Sequence, residues 1–155
     1  MRPKRLEMLY RTLIKEHSQN PKNRGKLENP DGEMELFNPA CGDLIQVQYQ
    51  LEENKIKDIV FDGQGCAISL ASASLMTDLM QGKTIKEAQS LIDLFSALIQ
   101  GNQEIETEAL GDAVFLEGVV KFPTRIRCAN LSWSALEQAL DKFEDGQGDD
   151  TRNDK

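Results

Sequence analysis

A segment of strictly alternating apolar and polar residues constrains the fold most. Its apolar members, separated by three glutamines, are Ile45, Val47, Tyr49 and Leu51. A period of two residues is typical of a strand with one buried face, and Met34 and Leu36 alternate with glutamates in the same way. Residues 55–61 (KIKDIVF) predict a third strand after a turn at 52–54. Strands this close along the chain favour an antiparallel meander.

The apolar period changes to three and four residues on both sides of these strands. The segments with this helical spacing are residues 4–16, 66–80 and 126–143. A further helix is predicted from Thr84 to Leu98 or Ile99, since TIKE has the form of a capping box. Residues 100–124, rich in Glu and Gly, predict an irregular or short-helical connection. Strands followed by helices indicate an α+β domain, with a small three-stranded antiparallel sheet and helices packed on it.

The length of 155 residues favours a single domain, which we place at residues 1–143. Residues 144–155 (EDGQGDDTRNDK) have almost no apolar side chain, so we expect an acidic, disordered tail. No apolar run reaches the roughly 20 residues of a membrane span, and residues 1–10 lack the apolar core of a secretion signal. We therefore expect a cytoplasmic protein that makes no membrane contact. Its odd number of cysteines, three, fits a compartment in which thiols stay reduced.

The net charge of -8 argues against nucleic acid as a partner. The charge is unevenly distributed, because residues 1–26 hold eight Lys and Arg against two acids, whereas residues 101–117 hold five acids and no base. Two readings remain open: two solvated faces, or a docking surface for a charged partner.

Two of the cysteines are predicted at the starts of helices. Free cysteine usually packs as a small buried apolar residue. The apolar stripe of the 66–80 segment, however, lies nearly opposite Cys66 on a helical projection; it consists of Ile68, Ala71, Leu75 and Leu79. Cys128 falls about 110° from the centre of the stripe of the last helix. Neither cysteine is therefore predicted to face the core. Unpaired backbone N–H groups at a helix start favour a thiolate, which is the form that binds metals.

The third cysteine, Cys41, lies in the turn NPACGD, two residues before Asp43. One turn and two helix starts thus supply a possible set of four metal ligands: Cys41, Asp43, Cys66 and Cys128. Zn²⁺ accepts three sulfurs and one carboxylate oxygen in a tetrahedron. His17, the sole histidine, is expected at the surface in the last turn of the first helix, so a His-based metal site or a Cys–His pair is disfavoured.

The chain resembles the IscU/SufU-type iron–sulfur cluster assembly proteins, most closely the SufU branch. Four segments carry the resemblance, in this order over residues 17–133: HSQNPKNRG, NPACGD, DGQGCAIS with ASAS, and RIRCANLSW. It implies an α+β fold with a three-stranded sheet, and one zinc site lined by Cys41, Asp43, Cys66 and Cys128. It also implies that Cys41 accepts persulfide sulfur from a pyridoxal-phosphate-dependent cysteine desulfurase. A histidine of that desulfurase would take over a zinc coordination position and release Cys41.

The sequence departs from the IscU type close to its third cysteine. IscU-type proteins place a histidine just before that cysteine, after an LPPVK chaperone motif; here Arg127 precedes Cys128, and Lys121-Phe122-Pro123 replaces the motif. This difference argues against a scaffold that uses that histidine. Arg125 and Arg127 flank the predicted site, where they either stabilise thiolates, contact acidic groups of a partner, or form an exposed helix cap.

Three functional hypotheses follow. The first is a zinc-bound sulfur acceptor that acts only together with a SufS-like cysteine desulfurase and passes sulfur to a downstream scaffold or apo-protein. The second is a scaffold on which an iron–sulfur cluster is assembled with the same ligands. The third is a binding module in which zinc has a purely structural role.

Overall fold

The computed structural model describes residues 2–102 and 104–152, with side chains described for 7–102 and 104–144. The regular elements are the helices α1 (Arg2–Gln19), α2 (Ala67–Met80), α3 (Ile85–Ile99) and α4 (Ile126–Arg152), the strands β1 (Gly32–Asn38), β2 (Asp43–Glu52) and β3 (Lys55–Gln64), and two 3₁₀ helices at Glu108–Lys121 and Pro123–Arg125. The predicted elements all form. The connection expected at 100–124 is mostly 3₁₀ helix, in agreement with its short-helical pattern.

The sheet is an antiparallel meander in the order β1-β2-β3, as predicted. Val47 in the central strand lies opposite Met34 on one side and Phe61 on the other. Ile45, Val47 and Tyr49 of β2 are buried, Leu51 is partly buried, and the glutamines lie on the other face. Gln48 is also buried because its amide donates to Glu33 (2.8 Å) and accepts from the Leu27 N–H (2.8 Å). The α+β prediction is thus confirmed, with α4 packed against β1 and β2.

Helix α2 lies at the centre of the molecule, between α1, α4 and β3. Residues 71–77 of this helix are all buried, whereas Ile68 and Leu79 are only partly buried. The single apolar stripe predicted for this helix is therefore wrong. The alternating Ala and Ser residues of ASAS have small side chains, so neighbouring elements approach α2 from several sides.

Hydrogen bonds satisfy the buried hydroxyl groups of α2 itself, which belong to Ser69, Ser72, Ser74 and Thr77. Ser72 Oγ donates to the Ala129 carbonyl (2.5 Å) and accepts from Trp133 Nε1 (2.9 Å), which ties α2 to α4. Buried polar groups are tolerated when they find such partners. Trp133 also stacks on Phe95 of α3, with ring centroids 3.9 Å apart. These contacts fix the end of α4 that carries Cys128.

His17 is buried, which corrects the expectation of a surface residue. Its Nδ1 is hydrogen-bonded to Ser74 Oγ of α2 (2.7 Å). The same oxygen accepts from the Lys22 N–H (2.8 Å), so the Ser74 hydroxyl hydrogen is available to His17. Burial, and then the charge of Lys22, lower the pKa of His17. The imidazole joins α1 to α2 as a neutral group.

Helix α3 begins as predicted, with a complete capping box. Thr84 Oγ1 accepts from the Glu87 N–H (3.1 Å), and Glu87 Oε1 accepts from the Thr84 N–H (2.9 Å). Within the residues that the structure describes, no helix combines the length and apolar character needed to cross a membrane.

Helix α4 continues to Arg152, past the boundary at 143 where the sequence predicts a disordered tail. The segment contains no proline, and each residue added to an existing helix gains one backbone hydrogen bond. The predicted start of the tail is therefore helical, and residues 153–155 lie outside the described residues. The domain boundary at 143 stays a prediction.

Replacing Ser72 should destabilise the junction of α2 and α4. In Ser72→Ala the Trp133 N–H and the Ala129 carbonyl lose their common partner, so we expect the free energy of unfolding to fall by about 1–3 kcal/mol. Urea unfolding followed by tryptophan fluorescence measures this change. Ser90→Ala, an exposed serine of α3, is the matched control and should leave the midpoint unchanged. Equal midpoints for the two variants would contradict the assignment.

Candidate metal centre

The turn between β1 and β2 presents Cys41 and Asp43. The carbonyl of Asn38 accepts from the N–H groups of Gly42 (2.8 Å) and Cys41 (3.3 Å). Gly42 has φ +73°, a left-handed conformation that glycine adopts readily. The chain then enters β2 at Asp43, whose register opposite Asn38 fixes the direction of its side chain.

Three of the four predicted ligands lie together. One donor atom from each of Cys41, Asp43 and Cys128 lies within 4.8 Å of the other two. The two sulfurs are 2.9 Å apart. Asp43 and Cys128 are fully buried, and Cys41 is half-buried. Although Cys128 is buried, as a core cysteine would be, it lies against these donors and outside the apolar cluster.

The fourth predicted ligand, Cys66, caps α2. Its Sγ accepts from the Ser69 N–H at 3.4 Å, in the manner of an N-cap residue. Its own N–H donates to Asp43 Oδ1 at 2.8 Å, so the backbone of Cys66 adjoins the site. The Cys66 sulfur lies outside the group of three donors, so it would have to shift in order to complete the set of four.

The Asp43 carboxylate connects the parts of the site. Besides the Cys66 N–H, its oxygens accept from Ser69 Oγ (3.2 Å) and from Asn38 Nδ2 (3.3 Å). Asn38 Nδ2 also lies 3.7 Å from Cys128 Sγ. Sequence reasoning missed Asn38 and Ser69. Two features of the sequence could have identified them. Asn38 is the first residue of the turn, and Ser69 lies three residues after a helix cap.

Gly65 leaves room for this carboxylate. A Cβ atom at position 65 would lie 2.7 Å from Asp43 Oδ1 and closer still to Ser69 Oγ. The backbone at Gly65 is outside the left-handed region. The glycine is therefore required because the Asp43 carboxylate and the Ser69 hydroxyl approach its Cα closely.

Cys128 does not become a thiolate simply because it lies at a helix start. Burial, then its contact with Cys41 and the charge of Cys66, raise the pKa of the Cys128 thiol. In the metal-free protein this group keeps its proton at neutral pH, contrary to the expectation from the helix dipole. A metal ion must therefore displace a proton in order to bind here.

The two arginines and the histidine occupy different positions relative to the site. Arg125 is exposed, and its Nη1 lies 3.9 Å from Cys41 Sγ. Arg127 is exposed, and within the described part of the chain it has no recorded hydrogen bond or ion pair with a site residue. His17 contacts Ser74, in the middle of α2, and is not part of the donor group.

The donor set suits a soft or borderline metal ion. Thiolates favour ions such as Zn²⁺ or the irons of a cluster over Mg²⁺ and Ca²⁺. Tetrahedral coordination with Zn–S bonds of about 2.3 Å separates two sulfurs by roughly 3.8 Å. The Cys41 and Cys128 sulfurs would move apart slightly to reach this separation. The residues present thus fit a metal centre.

Comparison with known proteins reveals similarity over most of the chain. The family model described as "NifU-like N terminal domain" matches residues 9–129, a range that contains all three cysteines. The zinc-dependent sulfurtransferase SufU of Bacillus subtilis is 45% identical over 141 residues, covering 91% of this chain and 95% of the relative. The iron–sulfur cluster assembly scaffold protein IscU of Streptococcus pyogenes is 42% identical over 143 residues, covering 92% and 89%.

A solved structure agrees with these similarities. A putative iron–sulfur cluster assembly scaffold protein for the SUF system, from Fervidobacterium islandicum, superposes with a TM-score of 0.81 at 34% identity. The match covers 86% of this chain and 97% of that one. The meander with its packed helices is therefore a fold that this relative shares.

Metal affinity should depend on pH because binding displaces protons from thiols. We expect the Zn²⁺ affinity to fall at least about tenfold for each pH unit between 8 and 6, since the Cys128 thiol alone releases one proton. Competition with a chromophoric chelator measures the affinity. Cys128→Ser should bind more weakly and with a shallower pH dependence. An affinity that is independent of pH would rule out thiol ligands.

Gly65→Ala should disturb the metal centre from outside the ligand set. The added methyl group would displace the Asp43 carboxylate, so we expect weaker Zn²⁺ binding and a loss of about 1–3 kcal/mol in the free energy of unfolding. Chelator competition and urea unfolding measure the two effects. The exposed substitution Ala67→Ser, two residues along the chain, is the control. A Gly65→Ala protein with wild-type affinity would show that Asp43 does not need its observed position.

Proposed function

Because the chain belongs to the NifU-like N-terminal domain family, we propose that it acts in iron–sulfur cluster assembly as a sulfur acceptor. Cys41, Asp43, Cys66 and Cys128 would hold a zinc ion. Cys41 receives sulfur from the persulfide of a pyridoxal-phosphate-dependent cysteine desulfurase and passes it to a downstream scaffold or apo-protein. The relative named as a zinc-dependent sulfurtransferase supports this assignment at 45% identity.

The proposal rests on the accessibility of Cys41. The two donors that lie beside it are both buried. Cys41 is half-buried and lies on a turn, whereas Cys128 and Asp43 are fully buried. Cys66 is also half-buried, but its sulfur caps a helix. A partner's persulfide can therefore approach Cys41 from solvent, while the other donors remain in the protein.

The transfer is an exchange at sulfur that needs no external oxidant. The Cys41 thiolate attacks the outer sulfur of the partner's persulfide, R–S–SH. A new S–S bond forms on Cys41 as the original S–S bond breaks, and the partner leaves as the thiolate R–S⁻. Cys41 then carries the –S–SH group, so atoms, electrons and protons balance.

Residues around Cys41 contribute charge and restraint. Bound zinc would keep the thiols deprotonated at neutral pH while making them weak nucleophiles. Arg125, with its Nη1 3.9 Å from Cys41 Sγ, stabilises the negative charge of the Cys41 thiolate before transfer. A histidine of the desulfurase would take the place of Cys41 among the metal ligands, which would leave the Cys41 thiolate free to react. The exposed Arg127 is available to acidic groups of the partner.

A cluster scaffold is the second candidate function, because the relative at 42% identity is named as one. The same thiols would then ligate iron. Arg127 occupies the position at which the IscU type has a histidine, which removes one ligand from that alternative. Anaerobic reconstitution with iron and sulfide tests it, since a scaffold would gain visible absorption and transfer its cluster to an apo-ferredoxin.

Cys41→Ser should abolish stimulation of a cysteine desulfurase. The wild-type protein, loaded with zinc, is expected to accelerate cysteine turnover by its cognate desulfurase, because it removes the persulfide sulfur. Alanine production measures turnover, and mass spectrometry should detect one added sulfur atom on the peptide that contains Cys41. The exposed substitution Ala40→Ser, on the same turn, is the matched control.

Zinc content and thermal unfolding of each variant separate loss of the acceptor from loss of the metal centre. Wild-type stimulation by Cys41→Ser would refute the acceptor role of Cys41. A wild-type protein that fails to stimulate, yet assembles and transfers a cluster, would favour the scaffold.

A further inference from the structure

Two of the three free cysteines touch each other through their sulfurs. Cys41 Sγ lies 2.9 Å from Cys128 Sγ, although the two residues are 87 positions apart along the chain. Only a small approach of these sulfurs is needed to reach the distance of a disulfide bond. The fold therefore brings together a pair of thiols that can be joined covalently.

The two members of this pair differ in their access to solvent. Cys41 is half-buried on a turn, between the exposed residues Ala40 and Gly42, and the Arg125 guanidinium lies 3.9 Å from its sulfur. Reactive cysteines typically occupy such partly exposed, electropositive positions. Cys128 is fully buried beside it. Redox-sensitive cysteines often have a second, resolving cysteine next to them, and Cys128 lies where such a residue is needed.

The turn that carries Cys41 has room for the approach of the two sulfurs. A Cβ atom built at Gly42 would meet no other atom within 4 Å, so the turn can shift without displacing a neighbour. Cys128 is held more firmly, because it belongs to a helix that packs against α2, β1 and β2. The movement that closes the pair is therefore a movement of Cys41.

The third cysteine is engaged elsewhere. Cys66 Sγ accepts from the Ser69 N–H (3.4 Å) at the cap of α2, and it is not one of the three donor atoms that lie within 4.8 Å of one another. A bond from Cys66 to another sulfur would cost this cap. The folded protein thus favours one of the three possible pairings, Cys41 with Cys128.

We propose that Cys41 and Cys128 form a reversible disulfide in the metal-free protein, with a low-molecular-weight disulfide as the oxidant. Metal binding and this bond exclude each other, because a sulfur in a disulfide is no longer a thiolate ligand. Disulfides in reducing compartments are usually transient and serve redox sensing. The pairing itself does not depend on the sulfur-transfer step; only its suppression by a metal rests on the metal centre proposed above.

The bond forms by two successive thiol–disulfide exchanges. The Cys41 thiolate attacks one sulfur of oxidised glutathione, GSSG, which releases GS⁻ and leaves a mixed disulfide on Cys41. Cys128 gives its proton to solvent and attacks the Cys41 sulfur, which releases the second GS⁻. Two electrons pass from the protein to glutathione, and the protons lost by the two thiols convert both GS⁻ ions to GSH.

The test treats the folded, metal-free protein with oxidised glutathione and identifies linked peptides by mass spectrometry without reduction. Trypsin places the three cysteines on separate peptides, residues 27–55, 58–83 and 128–142. We expect peptide 27–55 to be linked to 128–142, and two of the three thiols to be lost. The same reaction in denaturing urea is the control. There the shorter loop favours Cys41 with Cys66 over Cys41 with Cys128, by roughly sixfold.

Two matched variants separate the two exchanges. Cys128→Ser should stop at the first exchange and keep one glutathionyl group on Cys41. Cys66→Ser should form the Cys41–Cys128 bond as the wild-type protein does. Saturating Zn²⁺ should slow formation of the bond by at least about tenfold, because ligation mutes the thiolates. Dithiothreitol should restore Zn²⁺ binding to the oxidised protein.

The possible failures are distinguishable. A folded protein that links Cys66 to either other cysteine, or that remains a mixed disulfide at Cys41, overturns the inference. The same ratio of pairings in folded and denatured protein also overturns it. Equal rates with and without Zn²⁺ would refute the exclusion of disulfide by metal, and with it the metal centre, while a Cys41–Cys128 link upholds the pair. Failure to stimulate a desulfurase would refute the proposed function and leave the pair untouched.

Discussion

The buried carboxylate of Asp43 is the contact on which the arrangement of the site depends. A charge removed from water must find donors inside the protein, and Asp43 finds them on two different elements. The Cys66 N–H and Ser69 Oγ belong to the start of α2, and Asn38 Nδ2 belongs to the end of β1. Compensating one charge therefore fixes the β1–β2 turn relative to the central helix, and with it the position of Cys41.

The third part of the site is brought into place by packing. Helix α4 lies across β1 and β2 and is held to α2 by the hydrogen bonds of Ser72 and by the stacking of Trp133 on Phe95. Cys128 lies five residues, about one and a half turns, before Trp133 on the same helix, so the core contacts of the indole help to set how close the Cys128 sulfur comes to Cys41. The candidate site thus depends on the hydrogen bonds of Asp43 at the start of α2 and on the contacts that hold α4 against α2 and α3.

Local patterns predicted the fold well because they report local physics. The alternation around Val47 specifies a strand whatever surrounds it, and the capping box at Thr84 closes within four residues. The prediction for α2 failed because periodicity assumes one buried face, and this helix is covered on several sides. His17 was misplaced because its burial depends on a contact that is distant along the chain. Its partner, Ser74, is 57 residues away. The residue types and their positions in a turn and at two helix starts identified the candidate ligands. The capping position of the Cys66 sulfur and the protonated state of Cys128 could not be predicted in this way, because they depend on tertiary contacts and burial.

The separation of the donors along the chain has a consequence for biosynthesis. Cys41 and Cys128 are 87 residues apart, and the latter opens the last helix. A nascent chain that has released the sheet and α2 presents Cys41, Asp43 and Cys66, but the segment that completes the site is still inside the ribosome. Capture of a metal ion by the finished set of donors would therefore follow translation of α4. Loading would be coupled to completion of the core, and a truncated product would lack the buried sulfur of Cys128.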